Sequence, residues 1–219
     1  MNKLILVIFL LGFTVQGWSV DTTKVLRYTE ALSEKMDFPA VRIKFNGDYI
    51  FSDEEMASFK ILSIAENHIA IEKEGGMNSH HYSFHTFKTK KKRYIIAINL
   101  RSGSSGSSRI KCFELLEKEH GIELIEAADM APEIEVSSFG VNKEDAALFL
   151  DRSDLFYFVP VFNESKNIEV TVTVNPPFGK ENQEIIEKFS IDYPTLFDQK
   201  MTYIWSQRKG GFELKKKEK

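Results

Sequence analysis

The chain has 219 residues, 29 of them basic and 32 acidic, for a formal net charge of −3. At 42% hydrophobic and 28% charged it has the balance of a globular protein, which excludes general disorder. The small negative charge supplies no global field that would draw the protein to nucleic acid.

The N-terminus opens with Met1, Asn2 and Lys3, then an apolar run from Leu4 to Gly12 continued by Phe13, Thr14 and Val15. One cation before about ten apolar residues is the pattern of a secretory signal peptide. Gln16 ends the run short of the roughly 20 residues that a membrane-spanning helix needs. Val15 and Gly17, or Gly17 and Ser19, supply the small residues for cleavage after Gly17 or Ser19. Residues 1–19 are therefore read as a signal peptide. The mature chain, 20–219, is expected in the periplasm or outside the cell, with no membrane span.

Residues 22–36 predict a helix, because Val25, Leu26, Tyr28, Ala31, Leu32 and Met36 recur at three- and four-residue steps. Pro39 ends it. The period then drops to two at Val41, Ile43 and Phe45, and Asn46-Gly47 is a tight-turn signal. Ser52 to Glu55 resembles a capping box. Strands are predicted at 59–64 and 68–72, then at 81–87, 93–100, 109–116, 122–126, 155–162, 167–174, 185–192, 200–206 and 211–215. A short helix is expected at 142–149, capped by Asn142. Tyr94–Asn99 and Tyr157–Asn163 echo one another, each leading through a turn into a further strand. This pattern predicts a mainly β fold: an antiparallel meander, sandwich-like or a partial propeller, with an N-terminal helix. A single domain over 20–219 is preferred, with sub-lobes 20–135 and 140–219 as the alternative division at Pro132 to Asn142.

Cys112 is the only cysteine, so no intramolecular disulfide can form. Its place between Lys111 and Phe113 in a strand predicts a small buried hydrophobe. His80, His81 and His85 cluster in sequence. On a strand, His81 and His85 stand roughly 13 Å apart, too far to share one metal ion. No metal site and no cofactor motif is read; the histidines among Tyr82, Phe84 and Phe87 are read as a solvent-facing or hydrogen-bonded pair on a strand, with a ligand-binding surface as the functional alternative.

Arg101 to Arg109 encloses a Ser/Gly-rich loop that lacks the following helix and the Gly-Lys-Ser/Thr ending of a phosphate-binding loop. It predicts a hairpin tip whose flanking arginines, Arg101 and Arg109, are candidates for holding an anionic group. Lys88 to Arg93 reads as a solvated basic turn, and Lys215 to Lys219 as a frayed tail. Carboxylates are plentiful, but no pair stands out as the two acids of a glycosidase. Trp205, followed by Gly210-Gly211-Phe212, predicts a closing hairpin, with ligand stacking on the indole as the functional alternative.

The residues together predict an exported β-rich binding or interaction protein. Its ligand would be a protein, peptide or glycan, contacted by His80, His81, His85, Arg101, Arg109 or Trp205. The alternatives are an extracytoplasmic hydrolase without a recognisable motif and an inhibitor of an extracytoplasmic enzyme.

Overall fold

A computed structural model describes residues 22–36, 38–44, 48–51, 59–73, 80–102, 108–119, 121–177 and 179–215. The expected signal peptide, the expected turn at Asn46-Gly47, the expected capping box at Ser52–Glu55 and residues 103–107 and 216–219 lie outside them.

The fold is mainly β, with three antiparallel sheets and three α-helices among the described residues. Helix α1 (Thr23–Lys35) comes first, as its apolar stripe requires. It buries Val25, Tyr28 and Leu32. Buried Thr29 is satisfied twice: its hydroxyl donates to the Leu26 carbonyl at 2.8 Å and accepts from the Val41 amide at 3.0 Å. That contact fixes the helix against β1 (Val41–Ile43), which pairs with β2 (Tyr49–Phe51).

The next six strands form one unbroken meander: β3 (Phe59–Ala65), β4 (His68–Lys73), β5 (His80–Lys88), β6 (Tyr94–Ser102), β7 (Ser108–Lys118) and β8 (Gly121–Glu126). Each strand pairs with the next, as short hairpin connections dictate. A register shift between Ile61 and Ser63 interrupts the outer strand β3, a bulge of the kind that blunts an exposed sheet edge.

Both faces of this sheet are covered, and β6 shows it most clearly. Ile95, Ile96, Ala97 and Ile98 are all fully buried. Ile96 and Ile98 meet α1 together with Ile69, Ile71 and Phe84. Ile95 and Ala97 join Phe87 and Cys112 on the opposite side, where the second sheet packs. A continuous apolar run in place of alternation is the mark of a strand buried on both faces.

That second sheet has the order β12-β11-β10-β9, built from β9 (Phe156–Phe162), β10 (Ile168–Val174), β11 (Met201–Ser206) and β12 (Gly211–Leu214). In β10, Ile168, Val170 and Val172 are buried while Glu169, Thr171 and Thr173 are only partly covered, so only one face is buried. The chain from Ala128 to Phe139 crosses between the sheets in two 3-10 turns. Helix α2 (Lys143–Asp151) follows, and the Asn142 side chain caps it by accepting from the Asp145 amide at 2.9 Å. One hydrophobic cluster joins both sheets and α2, so the two candidate sub-lobes share a core.

Residues 185–192 are helical, in place of the predicted strand: α3 spans Lys180–Asp192. Ile185, Ile186 and Phe189 sit on one helical face against the core. The Lys180–Glu184 and Lys188–Asp192 ion pairs are spaced four residues apart, as on a helix surface. Phe189 meets the rings of Phe149 and Phe156 at 6.0 and 4.9 Å, a contact that favours the helix over the β-propensity of a short Ile-Ile run.

The closing hairpin forms as expected. Gly210 takes a left-handed φ of 78° in its turn, and a Cβ on Gly211 would stand 3.2 Å from the Met130 backbone. The β5–β6 turn also holds the basic run, with Lys90, Lys91, Lys92 and Arg93 exposed. Cys112 is buried among the core residues, and burial, with Asp129 nearby, pushes its thiol up to about 12.

Candidate functional site

The register of the six-stranded sheet sorts its second-sheet face into rows. Glu72 lies opposite His81, His81 opposite Arg101, and Arg101 opposite Ser108. Two residues inward the row is Ala70, Ser83, Asn99 and Ile110, and the next is His68, His85, Ala97 and Cys112. One sheet face thus grades from charged to apolar. Successive rows stand roughly 7 Å apart along the strands.

At the charged end the second sheet stops short of full contact. A pocket of about 560 Å³ opens between Glu72, His81, Ser83, Asn99 and Arg101 on one side and Val161 and Phe162 of β9 on the other. His80 borders it at the start of β5, with its ring 6.2 Å from that of Tyr82. Burial lowers the His81 pKa; Glu72 works against this shift and Arg101 adds to it. Its imidazole is therefore neutral at pH 7.

The pocket floor is tied to the opposite sheet. Asn99, 2% exposed, donates through Nδ2 to the Pro160 carbonyl at 2.9 Å. The Ser108 hydroxyl lies 2.7 Å from Asn99 Oδ1 and 2.6 Å from the same carbonyl. Pro160 sits on β9, an edge strand, where a missing amide is tolerated. Side chains of the large sheet thus take up a hydrogen-bonding group that the edge leaves open. Ser83 is 5% exposed and lines the pocket. Its hydroxyl makes no hydrogen bond among the described residues.

His85 is elsewhere. It lies two rows inward from His81, so the two rings do not converge. Its ring stacks on His68 of β4 at 4.2 Å and meets the Phe162 ring edge-on at 4.7 Å. Its Nδ1 is buried with no partner among the described residues. Burial, then His68 and Lys166, bring its pKa down to about 3. His68 itself lies 2.7 Å through Nε2 from Ser63 Oγ and 3.1 Å through Nδ1 from the Phe84 carbonyl. The carbonyl can only accept, so Nδ1 carries the proton and Nε2 accepts from Ser63. The contact has the spacing of a hydroxyl held by an imidazole, with a backbone carbonyl rather than a carboxylate behind the ring.

The remaining candidates separate. Arg109 lies opposite Leu100, one residue out of phase with Arg101, so the two guanidinium groups do not flank one point. Arg109 borders another cleft, of about 440 Å³, with Ile110, Pro132 and Ile134. Trp205 donates its indole N–H to the Lys88 carbonyl at 3.1 Å and packs on Phe87 and Phe212 at 4.9 and 5.2 Å. It joins the closing hairpin to β5. Among the described residues no group of three or more His, Cys, Asp or Glu side chains could hold a metal ion. No helix there is long and apolar enough to cross a membrane.

The pocket holds His80, His81 and Arg101, which the sequence suggests as separate candidates, together with Glu72, Ser83 and Asn99, which it does not. Those three lie on different strands, and only cross-strand register places them together. The fold class is that of an antiparallel β-rich domain. The chain is similar in fold to a domain of an uncharacterized protein from Porphyromonas gingivalis W83, with a TM-score of 0.50 and 12% identity over 69% of this chain and 72% of that one. No family model and no curated protein matches the chain.

Proposed function

We propose that the protein is an exported, β-rich binding module that takes a small polar ligand in the pocket between β4–β6 and β9. Export rests on the Lys3 and Leu4–Gly12 pattern. The observation that carries the binding reading is the pocket itself: opposite charges, imidazole, hydroxyl and amide groups on one wall, with an apolar strand facing them. Convergent polar groups in a concave site are the usual mark of small-ligand recognition.

NMR titration of the purified protein with amino acids, short peptides, simple sugars and carboxylates tests it. Ligand-dependent shifts are expected at His80, His81 and Ser83, and Ser83→Leu, which fills the floor, is expected to abolish them. Shifts confined to other surfaces, or unaffected by Ser83→Leu, would overturn the reading.

The Ser63–His68 contact favours a second reading, a hydrolase. It requires turnover of a model ester that Ser63→Ala removes while the circular dichroism spectrum is unchanged. Ester, glycoside and phosphate panels without turnover leave binding as the function.

A further inference from the structure

The charges in the pocket are arranged for a ligand with two ends. Glu72, His81 and Arg101 occupy one row on three neighbouring strands, so their side chains share a face with the neutral ring between the charges. Strands lie about 4.8 Å apart, which puts the Glu72 and Arg101 backbones roughly 10 Å from one another. An extended chain of three residues spans about 10 Å. Neither the Glu72 carboxylate nor the Arg101 guanidinium has an ion-pair or hydrogen-bond partner among the described residues. Lys60, opposite Glu72 on β3, is exposed, makes no ion pair with it and lies outside the pocket.

Resting on the binding reading above, we infer that the pocket takes a short zwitterionic peptide of two or three residues, its ammonium on Glu72 and its carboxylate on Arg101. Ser83 supplies a hydroxyl for a peptide group of the ligand. Asn99 retains one N–H and one lone pair beyond its bonds to Pro160 and Ser108. Val161 and Phe162 face the ligand's apolar side. A simple anion would meet Glu72 and a simple cation Arg101. A neutral sugar would hydrogen-bond both groups yet leave each charge without a counter-charge.

The probes are triglycine, N-acetyl-triglycine, triglycine amide and glucose, at millimolar concentrations, with the purified wild-type protein and the variants Glu72→Gln and Arg101→Gln. Triglycine is expected to shift the His81 and Ser83 signals. N-acetylation is expected to weaken it at least about tenfold, as is amidation, since each removes one hydrogen-bonded charge pair. Glu72→Gln should weaken triglycine similarly yet leave N-acetyl-triglycine unchanged, and Arg101→Gln should do the same for the amide. Capped and free triglycine binding equally, or glucose binding at His81 where triglycine does not, would overturn the ligand class and leave the pocket reading standing. No response at His81 or Ser83 to any probe would overturn both.

Discussion

Replacing His85 with leucine removes a buried imidazole that has no hydrogen-bond partner for Nδ1 among the described residues, and its consequence is a change in the pH dependence of stability. In the native state burial, His68 and Lys166 bring the His85 pKa from 6.5 to about 3. The unfolded chain therefore binds a proton that the native protein refuses between those two values. Stability is full above the unfolded pKa and falls as the pH drops toward the folded one, by up to about 1.4 kcal/mol per pH unit. Integrated from pH 7.5 to pH 5, His85 alone accounts for about 2 kcal/mol, or about 4–8 °C in Tm for a chain of this size. Urea unfolding of the wild type and His85→Leu at both pH values measures it. Each protein is compared with itself, so a pH-independent packing change in the variant cancels. The variant is expected to lose about 2 kcal/mol less than the wild type between pH 7.5 and pH 5. Equal losses in the two proteins would refute the claim that native packing keeps His85 unprotonated.

Asn99→Ala removes the amide that donates to the Pro160 carbonyl at 2.9 Å. It should cost about 1–3 kcal/mol in denaturant unfolding and weaken ligand responses at the pocket, whereas the exposed Lys91→Ala should stay within about 0.5 kcal/mol of wild type. Cys112, 1% exposed with its thiol pushed up to about 12, should resist a thiol reagent in the native state. Its labelling rate should rise with denaturant in step with global unfolding, and fast labelling without denaturant would contradict its burial.

Much of the fold was legible because local patterns and tertiary contacts agree. The Val25–Tyr28–Leu32 stripe predicts α1, the strand expected at 167–174 forms as β10, and Asn142 caps α2 as read. Residues 185–192 misled because Ile185-Ile186 and Phe189 fit either period over so short a stretch. The aromatic surface of Phe149 and Phe156, distant in sequence, decides for the helix. Trp205 packs in the closing hairpin as expected, but its polar partner was out of reach of the sequence: the indole N–H meets the Lys88 carbonyl, 117 residues away.

The sequence by itself determined the mainly β class, the leading helix, the buried thiol and the strand that carries His81 and His85, since each follows from side-chain period and polarity within a few residues. Tertiary structure alone decided which histidine meets what. Strand pairing set His85 on His68 and left His81 between Glu72 and Arg101. A shift of one residue in register would turn every one of those side chains to the other face, and the composition of a strand does not specify the register of its pairing.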